Sequence, residues 1–226
     1  CTAKRLFRAS RKFWSTMTKP TIAILGAGKL GITLSQLGLK AGYPVYIAGS
    51  GSPEKINLSV QVLAPGAVAA TVYDVIAAAD VVILALPLGK YQSIPKQLIG
   101  DKLVVDAMNY WWEIDGDRSD LKSPATSTSQ LVRDYLGAPR LVKAFSHIGY
   151  HHLHDEARPK NTPGRKAMAI AGDNPADNQI VAGIVDDFGF DPLIIGELAA
   201  GRALEPDQPM FGVNLEISAL RDLLQS

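Results

Sequence analysis

A chain of 226 residues with 47% hydrophobic residues can bury one sizeable core, and no apolar run is long enough to cross a bilayer. The formal charge of +1 hides an uneven distribution: residues 1–20 hold Lys4, Arg5, Arg8, Arg11, Lys12 and Lys19 and no acid, so of 23 basic residues 17 remain against 22 acidic ones. A mildly acidic body argues against nucleic acid as a partner, and Cys1 as sole cysteine excludes an internal disulfide and fits a reducing, cytoplasmic setting.

The basic leader, residues 1–18, has no apolar h-region and so is not a secretory signal. It reads as a leader or tag ahead of the folded body, since Met17-Thr-Lys-Pro runs straight into an apolar strand. A transit peptide or membrane-surface helix is the alternative for so Arg-rich a stretch. Thr21-Ile-Ala-Ile-Leu25 then predicts a buried strand, and Gly26-Ala27-Gly28-Lys29-Leu30-Gly31 follows at once in G-x-G-x-x-G spacing. Leu30, Leu34, Leu37 and Ala41 share one helical face, and a second strand runs from Tyr43 to Ala48. A glycine triplet between strand and helix is the context of a dinucleotide-binding βαβ unit. Gly26 makes the turn, Gly28 admits the pyrophosphate, and Gly31 lets the helix close on the sheet. The helix N-terminus offers N–H groups to the phosphates.

The second strand ends in Ala48-Gly49-Ser50-Gly51-Ser52-Pro53-Glu54-Lys55. An NAD site places an Asp or Glu here to bind the ribose 2′-hydroxyl. With no carboxylate at the strand end, Ser50, Gly51, Ser52 and Lys55 can instead bind a 2′-phosphate, which favours NADP over NAD. Glu54 turned toward the ribose would return the advantage to NAD. Ser52 and Pro53 also suit a helix start as N-cap and first helical residue.

Ile56–Leu63 predicts a helix ended by Pro65-Gly66, residues 67–72 a short strand, Tyr73–Ala79 a short helix, and Val81–Leu86 a strand buried on both faces. Ligands of such sheets bind beyond the carboxyl ends of strands, so Leu86 to Tyr91 should border the cofactor, with Leu86, Pro87 and Leu88 nearest it. Leu103–Asp106 is the next strand, and Met108, Asn109 and Trp111 leave its end as a wall for a planar ring, unless the tryptophans merely pack a loop or a subunit contact. Residues 113–127 read as a surface loop, Thr128–Leu136 as a helix and Leu141–Phe145 as a strand. Ser146, His147 and Ile148 follow that strand end. All four histidines fall between positions 147 and 154, but without cysteine or fixed ligand spacing they do not make a metal site. They read as a solvated loop with His147 nearest the substrate. Strands over Ala167–Ala171 and Asp191–Ile195 flank a helix from Asn174 to Phe188, and Val213–Leu224 is a closing helix. The alternation gives an α/β doubly wound parallel sheet over residues 19–212 with a small helical extension at 213–226.

Gly26-x-Gly28-x-x-Gly31, Val81–Leu86 with Pro87, Asp106-Ala-Met-Asn-Tyr, Leu141-Val-Lys-Ala-Phe145 and Leu204-Glu205-Pro206 together resemble the NADPH-dependent reductases of coenzyme F420, an 8-hydroxy-5-deazaflavin, and their bacterial dinucleotide-binding relatives. The resemblance covers most of residues 20–212 and implies a Rossmann fold, NADP(H) and a deazaflavin or flavin as second substrate. In that family a Ser-Arg pair and a later Lys hold the 2′-phosphate. Ser50 and Lys55 match the first and last, while Gly51 stands where the Arg belongs and should weaken NADP selectivity. A histidine lies by the deazaflavin in the archaeal enzymes; its place here is Ser146, with His147 one residue later.

Hydride transfer between stacked rings needs orientation more than acid–base groups. The reading is therefore an NADP-dependent oxidoreductase with a small-molecule redox substrate, a homodimer, using no membrane or nucleic acid. An imine or carbonyl acceptor would need a proton donor, His147 or Tyr150. A non-catalytic NADP(H)-sensing module is the third reading.

Overall fold

The computed structural model describes residues 19–122 and 126–225, so the basic leader lies outside the described residues. Eight strands form one sheet in the order β3-β2-β1-β4-β5-β6-β7-β8. They are β1 (Ile22–Leu25), β2 (Val45–Ala48), β3 (Val68–Ala69), β4 (Val81–Leu84), β5 (Leu103–Asp106), β6 (Leu141–Lys143), β7 (Ala167–Gly172) and β8 (Asp191–Gly196). The helices are α1 (Lys29–Lys40), α2 (Glu54–Leu63), α3 (Val72–Ala78), α4 (Trp112–Asp115), α5 (Thr128–Leu136), α6 (Tyr150–Asp155), α7 (Pro175–Asp187) and α8 (Ile217–Gln225).

Strands β1 to β6 are parallel, and the chain reverses strand order between β1 and β4, the place where such sheets open a ligand crevice. The sheet is not parallel throughout. β7 pairs antiparallel with β6 through Val142↔Gly172, and β8 runs parallel to β7. Apolar runs buried on both faces look alike in either direction, so the sequence pattern carried no sign of this reversal.

Burial alternates along each central strand. Ile22 and Ile24 enter the core under α1 and α7 with Leu34, Leu37, Val105 and Phe188. Ala23 and Leu25 enter the opposite core with Val75, Ile76, Val132 and Leu198. A smaller cluster of Ala167, Ala169, Leu193, Met210 and Leu220 fixes α8 on β7 and β8. Fully apolar strands of four residues thus feed two layers of helices, which is the burial both faces demand. Two further departures concern loops. Residues 113–127 contain α4 and a 3₁₀ turn at Ser119–Leu121, and the histidine-rich stretch folds as α6. No helix among the described residues is long and apolar enough to cross a membrane.

Candidate functional site

The register brings Leu25, Ala48, Leu84, Asp106 and Lys143 to one level, so the loops after β1, β2, β4, β5 and β6 leave the same rim. Between the first three opens a cleft of about 870 Å³, lined by Gly26, Ala27, Gly28, Ser50, Gly51, Leu86 and Pro87 among others. That volume suits a large organic ligand.

The glycines take three different tasks. Gly26 has φ +118°, and a Cβ there would lie 2.4 Å from the Ala85 carbonyl oxygen. A Cβ on Gly31 would lie 1.8 Å from the Gly26 carbonyl oxygen, so α1 presses directly on the turn. At Gly28 a Cβ would meet no protein atom within 4 Å. That space is an open cradle at the N-terminus of a helix whose cap carries no side-chain hydrogen bond. Leu30 packs against the core instead of facing the cleft. Lys29 turns to the opposite side of the glycine turn, where it lines a separate cleft.

At the far end, Lys55 folds back over Gly51: its Nζ stands 3.3 Å from where a Cβ at position 51 would be. An ammonium therefore occupies the space that a longer side chain at 51 would claim. The Ser52 hydroxyl donates to the Glu54 carboxylate and holds its pKa below the usual range. Neither Ser52 nor Glu54 lines the cleft, and Lys55 reaches it only by way of Gly51, which does. α2 begins at Glu54, with Pro53 already in helical conformation as its cap, so Ser52 is not the N-cap.

Several lining residues escaped the sequence reading: Ile56, Thr71, Val72, Tyr73 and Ser93, while Lys90 falls within the Leu86–Tyr91 stretch expected to border the cofactor. Tyr73 is exposed at the cleft margin, and Lys90 adds a cation beside Pro87. They sit one loop away from the motif, and only the β3–α3 and β4–β5 connections bring them in. Leu88, expected to border the cofactor, is instead fully buried in the core beneath and does not line the cleft.

The Pro87 loop is tied to the loop after β5. Asp115 accepts from Gly89 N–H at 2.8 Å and from Trp111 N–H at 2.9 Å, and Arg118 donates to the Gly89 carbonyl at 3.1 Å. Beyond this clamp lies a second cleft of about 530 Å³, walled by Tyr110, Trp111 and Trp112 and carrying Glu113, Glu205 and Asp207. Trp111 meets Phe211 edge-on at 5.4 Å. Glu205 accepts from the backbone and hydroxyl of Thr128, which fixes the start of α5.

Of the residues expected to border an acceptor, Trp111 faces this second cleft, while Met108, Ser146, His147 and Ile148 are buried. Asn109 donates its side-chain amide to the Ser146 carbonyl at 2.5 Å. His147 requires a correction. It is 1% exposed, and its Nε2 accepts from Ala169 N–H at 2.9 Å. The ring is thus neutral with its proton on Nδ1, which faces the Val213 backbone without full hydrogen-bonding geometry. Burial pushes its pKa down to about 4. A neutral ring locked to β7 cannot deliver a proton to the clefts. Phe145, at φ 60°, makes the turn that sends His147 inward. Such a conformation is costly for a bulky residue and is held here by packing against Phe188.

Under this row a buried ion pair joins β5 to β6. Asp106 Oδ2 lies 3.7 Å from Lys143 Nζ and accepts from the Ser129 hydroxyl at 2.6 Å. Asp106 Oδ1 takes the Met108 N–H, and Lys143 donates to the Met108 carbonyl, so both ends of that residue are clamped.

Residues 21–110 match the family described as NADP oxidoreductase, coenzyme F420-dependent. The Escherichia coli (strain K12) protein YjhV is 36% identical over 62 residues, which cover 27% of this chain and 45% of YjhV. Among solved structures, the hypothetical protein SMa0349 of Sinorhizobium meliloti is similar with a TM-score of 0.75 and 29% identity, over 91% of this chain and 98% of that one. An Arthrobacter sp. FB24 protein, proposed in its name to be an F420-dependent NADP-reductase, gives 0.68 at 20% identity over 82% and 88%. A reductive aminase of Aspergillus terreus in complex with NADPH gives 0.58 at 17% identity, over 83% of this chain and 58% of that longer one.

Proposed function

We propose that this chain, whose residues 21–110 carry the domain of the coenzyme F420-dependent NADP oxidoreductase family, is an oxidoreductase that uses NADP(H) and a deazaflavin or flavin-type acceptor. The observation that carries the cofactor is the pairing of an open cradle at Gly28 with the Lys55 ammonium over Gly51 at the other end of one cleft. The residues fit the group. Gly26, Ala27, Gly28 and the backbone N–H groups of the first turn of α1 would receive the pyrophosphate, with the Lys29 side chain turned away from it. Ser50 and Lys55 would hold the 2′-phosphate, with Tyr73 and Ile56 beside the adenine and Leu86, Pro87 and Lys90 at the nicotinamide end.

A bound nicotinamide supplies the hydride; the protein supplies position and a dry surface. The Asp115 clamp sets the Pro87 loop against Trp111, so cofactor and acceptor surfaces keep a fixed separation. Fixed separation matters because orienting two reactants can contribute on the order of 7–11 kcal/mol. His147, withdrawn into the core, offers no proton to a carbonyl or imine, and Tyr150 lines the cleft on the other side of the glycine turn; this favours a ring acceptor that accepts hydride without a dedicated acid. One observation favours the second reading. Three carboxylates, Glu113, Glu205 and Asp207, outnumber Lys122 and Arg202 beside Trp111 and Trp112, which suits a cationic imine.

Mixing the protein with NADPH and, in turn, F420, flavin mononucleotide, riboflavin and cyclic imines separates the readings. NADPH oxidation by F420 or a flavin supports the proposal, and turnover with imines alone supports the second. Binding with no turnover supports an NADP(H)-sensing module.

A further inference from the structure

Two clefts flank the dinucleotide cleft, and they differ in charge. The aromatic one holds Glu113, Glu205 and Asp207, and its Lys122 is already paired with Asp117 at 2.5 Å. The other, about 530 Å³, opens between α1, α2 and α6, and carries Lys29, Gln36, Ser59, His151 and His154. Its one carboxylate, Asp155, is taken up by His154 Nδ1 at 2.9 Å. The Lys29 ammonium lies 5.4 Å over the Tyr150 ring, and that ring stacks on His151 at 3.9 Å. No ion pair to Lys29 occurs among the described residues. Aromatic packing thus gathers the Lys29 ammonium and the His151 ring at one wall of the cleft.

We infer that this cleft takes the anionic end of the hydride acceptor, a phosphate- or carboxylate-bearing tail, while the acceptor's ring lies on the dinucleotide. The inference rests on the acceptor reading above and names the part of the ligand that reading leaves open. Adjacency supports it: Ala27 and Gly28 line both this cleft and the dinucleotide cleft, so an anion seated here lies next to the bound dinucleotide. Charge decides the direction. An anion entering the aromatic cleft meets three carboxylates beside Lys122 and Arg202, whereas here it meets the Lys29 ammonium, His151 and the Ser59 hydroxyl, with Asp155 held by His154 and the Gln36 amide donating to the Leu63 carbonyl. The same donors could serve the dinucleotide's own phosphates, and the experiment separates the two sources.

Protein saturated with NADP⁺, so that no turnover occurs, is titrated with F420 and its tail-less chromophore, and with flavin mononucleotide and riboflavin. The tailed member of a pair is expected to bind about tenfold tighter, a preference that collapses in Lys29→Gln/His151→Asn while NADP⁺ affinity stays unchanged. Equal affinities within both pairs overturn the inference. So does a variant that loses NADP⁺ affinity by the same factor, which would assign Lys29 to the dinucleotide. If no ring binds, the acceptor reading falls by itself, and pyrophosphate titrated into the NADP⁺-saturated protein decides the site. Binding lost in the variant upholds an anion site; no binding in the parent overturns it.

Discussion

Gly28 and Gly31 are three residues apart and should respond in opposite ways to the same methyl group. Gly28→Ala puts its Cβ into space empty of protein, so the fold should keep its stability while NADPH affinity falls about tenfold or more. Gly31→Ala drives a Cβ into the Gly26 carbonyl, and backbone must shift at a cost of about 1–3 kcal/mol. Denaturation midpoints and NADPH titrations of both variants check the contrast. A Gly28→Ala protein that binds NADPH as well as the parent would remove the pyrophosphate from the turn. Lys55→Ala tests the other end. A charge-assisted contact can reach about 2 kcal/mol, but exposed pairs give about 1 or less, so a roughly fivefold loss for NADPH with NADH unchanged is expected. Equal losses for both nucleotides would take Lys55 off the 2′-phosphate. The glycine spacing and the absence of an acid after Ala48 were legible because both are local. Thr71 and Tyr73 were not, because nothing in their own neighbourhoods marks them until β2, β3 and β4 stand side by side.

At the scale of elements, the Asp106–Lys143 pair couples β5, β6 and α5, and Gly201 packs on the Lys143 stem so closely that a Cβ would lie 2.9 Å from Cδ. Removing one partner leaves a buried charge alone. Lys143→Met should therefore cost about 3–5 kcal/mol, and Asp106→Leu/Lys143→Met far less, as measured by urea unfolding. A double variant no more stable than the single would contradict the pairing. His147 makes a pH prediction. With a folded pKa of about 4 against an ordinary value near 6.5, the unfolded chain binds more protons between those values. Stability is thus fully present above about pH 6.5 and declines as pH falls toward 4, by on the order of 3 kcal/mol, a decline that His147→Gln should largely lack. Elements with strong apolar runs or caps were legible: Thr128–Leu136 begins with a Ser127–Gln130 capping box and ends at Gly137 in the left-handed region. α6 was not, since six residues with three histidines give no apolar periodicity. The inward turn of His147 depends on a left-handed Phe145, a conformation no residue type there announces.

The whole molecule places its ligand clefts along one rim of the sheet and its stability in the two layers beneath. That division lets a cofactor-binding defect occur without loss of fold. The homodimer expected from the sequence stays a proposal. It rests on the closing helix after residue 212 and the exposed Trp111 and Trp112, to which the exposed Leu58, Val62 and Val68 add apolar surface; sedimentation at micromolar concentration should show two copies, while a monomer would set the proposal aside. The most direct test of the central claim is the thermal midpoint of the protein with NADPH and with NADH at equal concentration. A ligand at a hundred times its Kd stabilises by about 2.7 kcal/mol, which for a chain of this size raises the midpoint by about 5–10 °C. NADPH should produce that rise and NADH a smaller one; no rise with either nucleotide at millimolar concentration, or the larger rise with NADH, would contradict the account.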